Sequence, residues 1–148
     1  MNLLETIQYI WETNTRLASL LPASSDQDVN KVHTGRNFTP ELPFAILEKT
    51  GGSPEMYDNC DSGVDLVNVR VQIFAEDYDE GEEILDAVKA AFDRTHFDLY
   101  WGSSSSSGED IDKVLNMQRT QDSALQEPDG VWRFVIDFDA WVYLVNGY

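Results

Sequence analysis

Two histidines, one cysteine, a serine run and two acidic strings are the residues of this 148-residue chain whose types could do chemistry. His33 falls in a polar connection and His96 at the end of a predicted helix. No His-Glu-x-x-His pair occurs, so a metal triad would have to borrow carboxylates, and neither ring is read as a ligand or base. Cys60 is alone, which excludes an intrachain disulfide and a cysteine-built zinc site. Ser103 to Ser107 sit between Gly102 and Gly108, glycines too far apart for a Gly-x-Ser-x-Gly elbow, and no glycine-rich phosphate loop exists. No catalytic residue, metal site or cofactor site is assigned, and the chain is not expected to be an enzyme.

The acidic strings invite a calcium reading that their spacing refuses. Counted from Asp77, Gly81 stands at loop position 5, whereas an EF-hand needs its glycine at position 6. The string Glu55, Asp58, Asp61 and Asp65 has a glycine in place at Gly63 but Val69 where the bidentate Glu belongs. The first string is read instead as an acidic opening turn that complements a helix dipole.

With 10 Lys+Arg against 27 Asp+Glu the net charge is −17, which repels phosphate and argues against tight binding of nucleic acid or anionic lipid. No run approaches the ~18 apolar residues of a membrane helix, and the N-terminus lacks the basic stretch of a secretory signal. A soluble protein made in a cytosol is expected.

The elements that would position any site follow from periodicity. Leu3, Leu4, Ile7, Ile10, Trp11, Leu17, Leu20 and Leu21 predict one helix over about 3–20, with Asn2 and Glu5 as its capping box. A short strand is possible at 29–33. Phe44 to Leu47 predicts a strand closed by a turn at Gly51-Gly52-Ser53-Pro54, and 55–63 reads as a long acidic hairpin loop. In the next strand Val67, Val69, Val71 and Ile73 point one way, and Asn68, Arg70, Gln72 and Phe74 the other. Ile84, Leu85, Val88, Ala91 and Phe92 then make a helical stripe, with Asp77 or Asp79 as N-cap. A short strand at 96–101, a serine-rich loop, a weak strand at 111–120 and a turn at Gln126 to Gly130 follow.

In the closing strand Trp132, Phe134, Ile136, Phe138, Ala140, Val142 and Leu144 form an apolar face. The opposite face carries Val131, Arg133, Val135, Asp137, Asp139, Trp141 and Tyr143, too mixed for either a core or free solvent. Trp141 and Tyr143 suit an interface anchor because they bury large area with a polar handle; the alternative is that a helix of the same subunit covers them.

The order of elements, the strand Val67-Asn68-Val69-Arg70-Val71-Gln72-Ile73-Phe74 leading to helix Glu83 to Phe92, and the closing strand Arg133-Phe134-Val135-Ile136-Asp137-Phe138-Asp139-Ala140-Trp141 resemble the tail terminator family of long-tailed phages. Its members are also called tail completion or tail-to-head joining proteins. The resemblance implies a single α+β domain over 1–148: a mostly antiparallel sheet of four to six strands with two long helices, ordered α-β-β-β-α-β-β. It implies a ring, usually a hexamer, at the head-proximal end of the tail tube, assembled in the host cytoplasm. That ring stops tube growth and meets a head connector or stopper protein, and DNA passes through without specific binding. Trp141, Tyr143, Asp137 and Asp139 are then expected at a subunit interface. Flexible loops at 51–63 and 102–110, carrying Glu55, Asp58, Asp61, Glu109 and Asp110, are expected toward a partner or the lumen. Two other classes fit the same size and charge: an acidic DNA mimic that binds a basic partner, and a different neck component such as a head-tail stopper or connector adaptor.

Overall fold

Asn14 decides the shape of the N-terminal segment. A computed structural model describes residues 3–23, 31–34, 41–57, 60–99 and 112–143, with the side chains of 54–57 and 60–62 left undescribed. The expected single helix is two, α1 (Leu3–Thr13) and α2 (Thr15–Leu20). Asn14 between them is extended, at φ −81° and ψ 118°, and its side chain accepts from the backbone N of Leu17 at 3.1 Å. Asn competes for backbone hydrogen bonds and favours caps over helix interiors, so a continuous apolar stripe is carried on a bent pair. The bend lets Leu17 and Leu21 join Ile7 and Trp11 in the core, where Trp11 Nε1 donates to the carbonyl of Leu21 at 3.0 Å.

Six strands follow: β1 (Val32–Thr34), β2 (Phe44–Tyr57), β3 (Cys60–Ala75), β4 (Thr95–Asp98), β5 (Lys113–Gln126) and β6 (Trp132–Tyr143), with α3 (Tyr78–Phe92) between β3 and β4. They form one sheet in the order β1-β2-β3-β6-β5-β4, in which only the β1–β2 pair is parallel. The α+β class and element order agree with expectation; the helix count and several boundaries do not.

The turn expected at 51–54 is absent, because β2 runs through Gly51 and Gly52 with a register shift between Lys49 and Gly51. Glycine marks a bulge here rather than a reversal. The loop expected over 51–63 is strand on both sides, with residues 58 and 59 outside the described part. Gly63, at φ 74°, sits beside a second register shift near Glu55, where the left-handed backbone of a bulge requires it. β5 extends to Gln126, well past the expected 120. Its second half is exposed on both faces, so it has no apolar alternation to read, yet it pairs with β6 throughout. The turn at 127–130 is present, closed by Gly130 N donating to the carbonyl of Glu127 at 2.9 Å, with Gly130 at φ 91°. Asn2, the 102–110 segment and Leu144 lie outside the described residues.

All three helices lie on one face of the sheet. Val67, Val69, Val71 and Ile73 of β3, with Phe134, Ile136, Phe138, Ala140 and Val142 of β6, are buried under Ile84, Leu85, Val88 and Phe92 of α3. Asp77 is the N-cap of α3, although its side chain makes no capping hydrogen bond. Gly81 in the first turn is buried against Phe134, so that even a methyl group there would overlap the ring. Its lack of a side chain, which has no place in a cation loop, lets α3 approach the sheet.

Candidate assembly surface

The face of the sheet opposite the helices is not covered by any described element. Its side chains stand in rows across β2, β3, β6 and β5, set by the antiparallel register. Cross-strand neighbours on one face are close enough to interact, and here three consecutive rows are hydrogen-bonded.

In the central row Arg70 Nε and Nη2 donate to Asp137 Oδ1 and Oδ2 at 2.8 and 3.2 Å, while Gln121 Nε2 donates to Asp137 Oδ2 at 2.8 Å. On one side Asn68 Nδ2 donates to Asp139 Oδ1 at 2.6 Å; on the other, Gln72 Nε2 donates to Glu48 Oε1 at 2.7 Å. The Arg70 hydrogen bond, followed by that of Gln121, holds the Asp137 carboxyl below the usual carboxylate range, and the same pair raises the guanidinium of Arg70. The bidentate Arg–carboxylate fork and the third donor use three of the acceptor positions of Asp137. Asp137 and Asp139 are therefore occupied within the subunit.

Apolar residues flank this belt at both ends. Toward the β2–β3 hairpin, Leu66 lies opposite Trp141 and Val64 opposite Tyr143, all four half-buried, with Leu115 in the neighbouring stretch of β5 46% exposed. At the other end Phe44 and Phe74 stack with centroids 4.7 Å apart, and beyond Arg133 in the same row lies Leu125, which is 52% exposed. No described helix covers Trp141 or Tyr143.

Among the expected loop residues, Glu55 and Asp61 fall within β2 and β3, whereas Asp58, Glu109 and Asp110 lie outside the described residues. His33 is in β1 and His96 in β4, and burial, then Lys31, lowers the pKa of His33. Among the described residues no group of three His, Cys, Asp or Glu stands close enough to hold a metal ion. No described helix is long and apolar enough to cross a membrane.

The sequence reading missed Arg70 as the partner of Asp137, and Leu66 and Val64 as the neighbours of Trp141 and Tyr143. The signal was present in two strands with matching mixed faces, since setting Arg70 opposite Asp137 in an antiparallel pair fixes every other row.

The features so far define a class: a two-layer α+β domain whose sheet has one face under helices and one open face with a self-satisfied polar centre. The sequence matches the family described as Tail completion protein gp17 over residues 15–143, and the chain belongs to that family. Among solved structures it is similar to a chain from the "Virion of native gene transfer agent (GTA) particle", at 12% identity and a TM-score of 0.59 over 94% of this chain and 93% of that one. At that identity the likeness is one of fold. No curated protein matches the sequence closely enough to count as a relative. The protein is a structural component of a phage-type virion, and its place is the tail.

Proposed function

We propose that the chain forms a ring at the head-proximal end of the tail tube, where it ends tube growth and offers the surface to which the head connector or stopper protein joins. Membership of the tail completion family over residues 15–143 carries this reading. In it the subunit contacts itself, the tube protein and the connector, and its role is structural rather than catalytic. The open face contributes through Trp141 and Tyr143, whose rings, with Leu66 and Val64, form an apolar patch beside a belt of polar side chains bonded to one another. Asp137 and Asp139 belong to the belt and act by keeping that face flat and ordered. The net charge of −17 suits a channel through which DNA slides without adhering.

Deletion of the gene in the producing cell tests the proposal. Tails of irregular length, with heads left unjoined, are expected in electron micrographs, and purified wild-type protein should restore joining in extracts. Tails of normal length that join heads without the protein would overturn it.

A further inference from the structure

Two strands present backbone that no described strand pairs with. β1 covers β2 only over Ala45–Leu47, which leaves the outer edge of β2 from Glu48 onward without a partner strand among the described residues. β4 covers β5 only between Lys113 and Met117. Next to it Arg94 N donates to the carbonyl of Met117 at 2.7 Å and Asp93 Oδ1 accepts from Arg119 N at 2.9 Å. Beyond those contacts the outer edge of Thr120 to Gln126 has no partner strand among the described residues. Soluble proteins protect such edges with Lys, Pro, bulges or brevity. Thr120–Gln126 has neither Lys nor Pro, and its one charge, Asp122, is tied back to Lys89 and Arg119 at 2.9 Å each; on β2 the protecting features are Lys49 and the bulge beside it, and Thr120–Gln126 is the less guarded of the two edges.

We propose that this edge of β5 pairs with the edge of β2, Glu48 to Ser53, in a second copy of the chain, so that the sheet continues from subunit to subunit. The proposal rests on the ring reading above and names the surfaces that would close it. Four observations support it. β2 and β5 run in opposite directions across the sheet, so copies in the same orientation bring these edges together antiparallel, the arrangement of nearly every pair within the subunit. The edges differ, so the contact is heterologous and, repeated by rotation, can close.

Gly51 and Gly52 lie in the offered edge, and neither has positive φ. A Cβ at Gly51, beside the bulge, would press on Asn68 Oδ1 at 3.2 Å, whereas one at Gly52 would make only ordinary contacts, so Gly52 is the glycine that the subunit's own packing does not demand. Close approach of another backbone is a recognised use of glycine in a strand. Charge is complementary as well. The β2 and β3 strands carry Glu55, Asp61 and Asp65, whereas Lys89, Arg94 and Arg119 outnumber Asp93 and Asp122 beside the β5 edge of a chain whose net charge is −17.

The geometry also sets an offset. Ser123, the middle of the β5 edge, lies level with Val135 and Val135 with Gln72, whereas Gly51, the middle of the β2 edge, lies opposite Asn68, so the two edges are out of step by four residues of β3, about 13 Å along the strands. Neighbouring copies must be staggered by that amount. A ring accommodates stagger by tilting its strands against the axis, as closed barrels do.

Paired cysteines test the contact. In a Cys60→Ser background, Ser53→Cys is combined in turn with Gln121→Cys, Ser123→Cys and Leu125→Cys. Particles assembled with each chain are oxidised and run on non-reducing gels. At least one combination should give a ladder of dimer, trimer and higher species ending at the subunit number of the ring, while single-cysteine controls stop at dimer. Native mass spectrometry of the same protein, released from particles, gives the oligomeric state independently. A closed oligomer with no ladder from any combination overturns the edge pairing and leaves the ring intact; a monomer overturns both.

Where a double-cysteine chain does not enter particles, charge reversal decides. Arg94→Glu with Arg119→Glu should cut incorporation at least tenfold, as should Glu55→Lys with Asp65→Lys, and combining all four should restore it. Failure of the combination to restore incorporation, with each chain folded by circular dichroism, overturns the pairing in favour of a contact with tube or connector.

Discussion

Asp137 is the most heavily bonded carboxylate of the open face, and the Arg70 fork keeps its pKa below the usual 3.8. A carboxyl depressed on folding stabilises the fold in full above its unfolded value, and the contribution is lost as pH falls through the folded one. Asp137→Asn should therefore lower urea-unfolding stability at pH 7 by roughly 1 kcal/mol or less, since solvent screens Arg70, whose side chain is 39% exposed. The part of the gap that comes from the carboxylate charge should narrow once the pH drops below 3.8 and be lost when Asp137 is protonated in the folded chain as well. At Gly81 the opposing terms can be ranked. Alanine would gain about 1 kcal/mol of helix propensity, but its methyl group overlaps the buried Phe134 ring, and overpacking costs roughly 1–3 kcal/mol. Gly81→Ala should thus lower the melting temperature, as scanning calorimetry can show, although alanine is the better helix former. Gly81 was visible in the sequence only as a misplaced calcium-loop glycine, because the close approach that requires it is set by Phe134, more than fifty residues away.

The elements were legible where one face is buried and obscure where neither face is. β3, β6 and α3 follow directly from their periods, since each has one side committed to the core. The second half of β5 has no such side, and only its pairing with β6 makes it a strand. Gly51 and Gly52 read as a reversal because the residues that favour turns also favour bulges. The break at Asn14 was hidden by an apolar stripe that continues across it. Asn14→Ala removes the acceptor for Leu17 N and should cost about 1 kcal/mol in chemical denaturation. A gain in stability would mean that α1 and α2 prefer to fuse and that the bend is imposed by the sheet.

For the molecule as a whole, the sequence indicated which face of β6 is unusual but not that the face stays open, because coverage depends on where all three helices pack. Trp141→Ala should reduce incorporation into particles at least tenfold while changing unfolding free energy by on the order of 1 kcal/mol, the cost of trimming a half-buried side chain outside the core. Loss of cooperative melting in that variant would make Trp141 a core residue and remove it from the interface. The belt formed by Glu48–Gln72, Arg70–Asp137–Gln121 and Asn68–Asp139 has a consequence of a different kind. It separates the Leu66–Trp141 patch from the Phe44–Phe74 patch by three rows of polar side chains bonded to one another, so that neither apolar patch extends to the other. Each patch can accordingly drift with its own binding partner. A lineage that acquires a new tube protein need not renegotiate its connector at the same time, and substitutions fixed at one end of this face should be statistically independent of those at the other.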